Sequence, residues 1–238
     1  MSLGRRASIV ALILLAIMIV ALPLAGCGKK EVAAPGEQTQ GGTATPGGGS
    51  GGSTGGKTWA YGQLKPGQHV KYTMRSEYQG AVQSGWFSWD ISDAGGGKLK
   101  ITYVGHFAGL DYSDAEIVSA EKPLADFRVA PLPIYMVPLL SVPWGELLAD
   151  CPWSVGSRWS CEAEFGLLGK KEAALEVTGT AAYIDIDGFT GTWTRTSFGT
   201  VITTSWCVNP DLPVVLYARV CDSPPGVYEY TLVEAAGF

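Results

Sequence analysis

Period-two alternation of apolar and polar residues dominates the chain from residue 68 onward. Val70, Tyr72 and Met74 alternate with Lys71, Thr73 and Arg75, and Leu99, Ile101 and Tyr103 alternate with Lys98, Lys100 and Thr102. Successive side chains of a strand point to opposite faces, so this pattern marks strands with one buried face. Turn-forming residues divide the runs at Gln79-Gly80, Ala94-Gly95-Gly96-Gly97, Asp187-Gly188 and Phe198-Gly199. Strands are predicted near 68–78, 83–92, 98–107, 158–166, 172–186, 189–197, 200–208, 213–221 and 227–235. Their hairpin-like spacing predicts an antiparallel meander. Asp187-Gly188, lying between Tyr183-Ile184 and Phe189, predicts a tight hairpin turn.

Three regions depart from this alternation. Residues 114–150 are rich in Pro, Leu and Ala. Pro143-Trp144-Gly145-Glu146-Leu147-Leu148 predicts a short helix with proline at its first position. A second helix is expected over 134–140, broken by Pro138, and such segments are expected to cover one face of the sheet. Residues 28–57 are mostly Gly, Ser, Thr, Pro and Gln. They offer no apolar surface to offset the entropy of ordering, so they read as a tether. A Gly/Ser coil of that length spans roughly 30 Å on average. Its glycine run has no preceding strand and no Gly-Lys-Ser/Thr ending, so it is not a phosphate loop.

The third region is the start of the chain. Arg5 and Arg6 precede an uncharged, almost wholly apolar run over 9–24, and Leu24-Ala25-Gly26-Cys27 closes it. A basic start, an apolar run and small exit residues form a secretory signal. The final four residues resemble the lipobox of bacterial lipoproteins. That resemblance implies cleavage before Cys27 and a diacylglycerol on its thiol. An uncleaved membrane anchor is the alternative, since the run approaches the shortest spanning helices. Firm attachment needs at least two acyl chains, which the resembled modification supplies. The expected organisation is a signal peptide over 1–26, a lipidated tether over 27–57 and a single extracytoplasmic β-rich domain over 58–238. The expected location is the cell membrane or outer membrane.

Charge narrows the partners. Removing residues 1–26 takes away two arginines and no acid, leaving 15 Lys+Arg against 22 Asp+Glu, a net charge of −7. An acidic chain is a poor nucleic-acid partner, so none is expected. It also lacks a polybasic patch for anionic lipid, so the membrane is reached through lipidated Cys27.

Beyond Cys27, four cysteines remain: Cys151, Cys161, Cys207 and Cys221. An even number in an oxidising setting predicts two disulfides, with three connectivities open. Local pairing, Cys151–Cys161 with Cys207–Cys221, is preferred, although a simple hairpin at 209–213 would place Cys207 opposite residue 215. No close cysteine pair suits zinc, so no metal is expected. No cofactor signature is present either.

Catalytic motifs are sparse. The two histidines, His69 and His106, lie at strand ends, and no Gly-x-Ser-x-Gly elbow occurs. His106 with Asp111 or Asp114 is the best acid–base pair, with a surface histidine as the simpler alternative. Asp185-Ile186-Asp187-Gly188 is half of a calcium loop, but the next ligands are missing. Carboxylates for glycoside hydrolysis would come from scattered acids such as Asp90, Asp111, Glu116 and Glu164. No catalytic residue is assigned.

Aromatic residues are more informative. Trp86 and Trp89 lie three apart in a predicted strand and so face opposite sides. One of them leaves the core side, either to stack on a ligand or to be covered by the Pro-rich segment. Pro131-Leu132-Pro133-Ile134-Tyr135-Met136-Val137-Pro138-Leu139-Leu140 reads as core or as an adaptable lid over an apolar cavity. The candidate ligand-binding residues are Trp86, Trp89, Met136, Leu139, Leu140 and Trp144.

Three segments resemble uncharacterised envelope lipoproteins: Leu64-Lys65-Pro66-Gly67-Gln68-His69-Val70-Lys71-Tyr72, Val155-Gly156-Ser157-Arg158-Trp159 and Trp206-Cys207-Val208-Asn209-Pro210-Asp211-Leu212-Pro213. The resemblance implies a curved antiparallel sheet, like the half-barrel lipoprotein carriers that hold acyl chains. The expected fold is therefore mainly β, a curved or half-barrel sheet with a short helical, Pro-rich segment over one face. A binding module for a hydrophobic ligand is the leading functional expectation. An assembly lipoprotein that pairs its sheet edge with an envelope protein is the second, and an envelope hydrolase the third.

Overall fold

Ten antiparallel strands form one sheet that curves without closing. The computed structural model describes residues 59, 61–78, 80–121, 123, 139, 142–164, 169–197, 200–221 and 226–238, without the side chains of Ser197, Thr200 and Cys221. In chain order the strands are β1 (His69–Tyr78), β2 (Ala81–Gly95), β3 (Lys98–Phe107), β4 (Leu110–Ser119), β5 (Arg158–Glu164), β6 (Lys170–Tyr183), β7 (Ile186–Ser197), β8 (Thr200–Val208), β9 (Val215–Cys221) and β10 (Gly226–Ala236). Among the described residues a short helix, α1 (Trp144–Leu147), lies between β4 and β5.

The spatial order is β4-β3-β2-β1-β10-β9-β8-β7-β6-β5. The chain starts in the middle of the sheet, winds outward to β4, crosses to the opposite edge at β5, and winds back. The two terminal strands pair at the centre, from His69 opposite Ala236 to Tyr78 opposite Gly226. Trp59 joins the core ahead of β1, its indole N–H donating to the Leu212 carbonyl at 2.6 Å. The described elements all belong to one compact unit, residues 51–238.

Alternation sorts the residues as expected. Val70, Tyr72 and Met74 are buried, as are Phe87, Trp89 and Ile91 on β2 and Leu99, Ile101 and Tyr103 on β3. On the other arm Ala173, Leu175, Val177, Trp193 and Trp206 continue the same apolar face. Burial at roughly 25 cal/mol per Å² makes this face the main source of stability.

Two expectations need correction. The region from residue 114 was expected to lack a strand, yet β4 runs to Ser119 and pairs with β3 throughout. It is an edge strand whose core-side row includes Asp114, opposite Tyr103, and Glu116, opposite Ile101. Acids in core-facing positions hid the alternation. The second correction concerns Asp187-Gly188, expected as a turn. The hairpin instead turns three residues earlier, with Ile184 (φ 47°) and Asp185 (φ 62°) left-handed between Tyr183 and Ile186. Gly188 lies inside β7, where a Cβ would strike Cys207 Sγ and Leu216. This hairpin curls far enough for β6 to approach β10, and Tyr183 stacks on Tyr217 with centroids 5.6 Å apart.

The helix predicted at Pro143 is present. Pro143 is its N-cap, and Trp144, Leu147 and Leu148 are buried. Of the second expected helix only Leu139 is described, and the rest lies outside the described residues.

Gly191 permits the closest packing in the β7–β8 region. A Cβ there would run into the Trp206 ring and the Glu176 carbonyl. Gly191→Ala is expected to cost about 1–3 kcal/mol, as overpacking does. Urea denaturation checks this: the midpoint falls with the slope unchanged.

Candidate functional site

The concave face brings large aromatic side chains together. Tyr72, Phe87 and Trp89 form its centre, with Tyr72 stacked on Phe87 at 5.1 Å and Trp89 5.9 Å from Phe87. The Tyr72 hydroxyl donates to the Val215 carbonyl at 2.6 Å, so a buried polar tip is satisfied. Burial pushes its ionisation well above the usual tyrosine value. Toward the β4 edge, burial and then the charges of Asp114 and Glu116 raise Tyr103 to about 12.

The described part of the crossover closes the β5 side. Trp144 donates its indole N–H to the Leu139 carbonyl at 2.9 Å. The Trp159 indole reaches the Leu147 carbonyl at 3.3 Å, and the Glu146 carboxylate accepts the Glu164 backbone N–H at 2.7 Å. The last contact ties α1 directly to the backbone of the edge strand.

The arm formed by β7 and β8 carries polar groups inside the same apolar face. Thr204 is 0% exposed and Trp206 is 1% exposed. The Thr204 hydroxyl and the Trp206 indole N–H have no hydrogen-bond partner among the described residues. Each such buried group costs roughly 1–3 kcal/mol. Arg195, 4% exposed, lies on the neighbouring strand opposite Ile202, two residues from Thr204. A donor-rich patch in an apolar wall is unusual, since buried polar groups are nearly always paired.

The residues expected from sequence divide between the two faces. Trp89, Leu139 and Trp144 are buried in the core. Trp86 lies on the convex face, 37% exposed, with Lys71 Nζ 5.5 Å from its ring centroid. The two tryptophans thus point to opposite sides, as their spacing implied, and the structure does not bring all six candidates together. Met136 and Leu140 lie outside the described residues. Sequence reasoning missed Arg195, Thr204 and Trp206 as a group. Their core-side parity was readable, but the unpaired state of the Thr204 hydroxyl and the Trp206 indole N–H was not.

The histidines sit in surface hydrogen bonds with carboxylates. His106 Nδ1 is 2.7 Å from Asp111, so Asp111 rather than Asp114 is its partner, and both are exposed. His69 Nδ1 lies 2.8 Å from Asp90. Neither pair adjoins a described nucleophile.

The expected disulfides are not seen. Cys151, Cys161 and Cys207 are free thiols. Cys207 pairs with Tyr217, and Cys221 stands four residues farther along β9. Four residues of strand amount to about 13 Å, beyond the reach of a bridge. Cys161 Sγ instead faces the Leu147 carbonyl at 3.9 Å.

A comparison with known protein families finds no match, and neither does one with curated proteins. Among solved structures, a Bacteroides fragilis protein described as exported, with a YmcC-like fold, covers 76% of this chain and 100% of its own, at 8% identity and a TM-score of 0.32. A Parabacteroides distasonis protein described as a lipoprotein covers 75% and 99%, at 8% identity and a TM-score of 0.30. Likeness at this distance assigns neither fold nor activity.

Burial raises Cys151 to about 11 and Cys207 to about 12. A raised pKa means less thiolate at neutral pH, and thiolate is the nucleophile. Iodoacetamide at pH 7.5 is expected to label half-buried Cys161 first and Cys207 last. Peptide mass mapping over time checks the order.

Proposed function

We propose that this chain is an exported lipoprotein, held at a membrane by lipid on Cys27, whose half-barrel is a binding module for a hydrophobic, lipid-like ligand. The anchor rests on Leu24-Ala25-Gly26-Cys27 behind a basic, then apolar, leader. The binding role rests on the concave face. Tyr72, Phe87, Trp89, Tyr103, Trp193 and Trp206 are buried there, and α1, in the chain that crosses over to β5, is only four residues long. A single helical turn has little stability of its own, so α1 is easier to displace than a longer helix. An apolar wall with a few fixed polar groups is also the usual make-up of a ligand site.

Edge pairing with another envelope protein is less well supported. Core-side Asp114 and Glu116 make β4 a poor template, since inward charges on an edge strand discourage strand addition. The contact of α1 with β5 occupies the other edge at Glu164.

Two measurements test the proposal. Cys27→Ala in the full chain is expected to move the protein out of the membrane fraction or leave its leader uncut. Unchanged anchoring with complete leader removal contradicts the lipid anchor. Native mass spectrometry of residues 28–238 purified from cells is expected to show a retained apolar molecule. A clean apo mass after delipidation-free purification contradicts the binding role.

A further inference from the structure

We infer that the end of the sheet at which the tether enters the fold sits on the membrane surface, with Val155, Ile184 and Phe238 set into zwitterionic lipid. The inference rests on the lipid-anchored reading of Cys27 and adds a second, apolar contact made by the domain itself. Strand register places the parts. Trp59, the first described residue, donates to the Leu212 carbonyl in the β8–β9 loop and meets Trp153 edge-on at 6.4 Å. Trp153 in turn lies 5.7 Å from Phe189 in β7, and Phe189 pairs with Val208 at the end of β8. The loop at 152–157, the tip of the β6–β7 hairpin and the β8–β9 loop therefore share one end. The C-terminus joins them, because Thr231 pairs with Tyr217 near the start of β9 and Ala236 with His69 at the start of β1. Large apolar side chains stand open at this end: Val155 is 57% exposed, Phe238 45% and Ile184 38%.

Two of these loops hold bulky residues in strained backbone. The two-residue β6–β7 turn needs positive φ at both central positions, which Asn-Gly supplies easily. Ile184 fills the first at φ 47°, where a β-branched residue is a genuine outlier. Trp153, two residues before Val155, is left-handed at φ 46°. Such conformations cost free energy and cluster at functional sites. The opposite end turns on Gly80 and on Ala108-Gly109, which carry no large side chain. It also exposes Val82, Leu110 and Val201, so exposure alone does not choose between the ends. Chain length does. Residues 28–58 join Cys27 to Trp59, and a Gly/Ser-rich coil of that length reaches roughly 30 Å. The ten residues of β1 run about 33 Å. The far end would meet lipid only if the tether also covered the height of the sheet. Asp185 and Asp211 lie in the same loops, so the contact is apolar rather than Coulombic and suits zwitterionic rather than anionic lipid.

Residues 28–238 include the whole compact unit. With a hexahistidine tag ahead of residue 28, they can be held on phosphatidylcholine vesicles by a nickel-chelating lipid, which keeps the tether and dispenses with acylation. Failure here is thus separable from failure of the Cys27 anchor, which Cys27→Ala reports. Hydrogen exchange read by mass spectrometry is expected to slow severalfold at 153–157 and 184–186 on the vesicles, relative to the same chain free in solution. Exchange at the turns of Gly80 and Gly109 is expected to stay unchanged. Val155→Ser, Ile184→Asn and Phe238→Ser together are expected to abolish the slowing. Ile184→Asn alone is expected to raise the urea midpoint of the free protein, because asparagine tolerates the left-handed turn. Loss of contact then cannot be put down to unfolding. Slowing at neither end, or equally at both, overturns the contact. Slowing that survives the triple substitution overturns its assignment to these side chains.

Discussion

The structure depends on the burial of one face of a sheet that never closes on itself. In a closed barrel the strands cover their own interior. Here the edges β4 and β5 stay apart, so the apolar wall must be covered by other parts of the chain. The topology provides for this. Starting and ending the sheet at its centre places the long connection between the two edges, and that connection carries α1. Pairing of β1 with β10 fixes the middle of the wall, and Tyr72 at that centre ties it to the Val215 carbonyl at the start of β9.

Stability and binding pull against each other on this wall. A core built only for stability would put an apolar residue at 204, because an unsatisfied buried polar group is costly and its apolar replacement is often neutral or stabilising. The large aromatic core of the centre and the β1–β4 arm can offset such a cost. The convex face has no comparable tension: Lys71 beside Trp86, His69 beside Asp90 and His106 beside Asp111 are solvated contacts of small energetic weight.

Most of the sheet was legible because alternation reports burial directly. Nine strands follow from it, and the opposite facing of Trp86 and Trp89 follows from spacing alone. β4 was not legible because Asp114 and Glu116 occupy positions where apolar residues mark a core face. The β6–β7 turn was displaced because Asp187-Gly188 has turn chemistry, while Gly188 is required for a different reason, close approach of Cys207. The cysteines show the same limit: their even number suggested bridges, but strand register decides whether sulfurs meet. The polar groups at 195, 204 and 206 showed their core-side parity, but partners in space cannot be read from one chain in sequence.

The central claim is that the apolar wall beside α1 takes up a lipid-like molecule and that α1 loosens when it does. Hydrogen exchange at the α1 amides tests it most directly, because Leu147 and Leu148 donate to Pro143 and Trp144 within the helix. Addition of laurate to residues 28–238 should speed exchange at these amides while the β1–β10 ladder stays protected. Identical exchange at Leu147 and Leu148 with and without saturating laurate would mean that the wall is a sealed core.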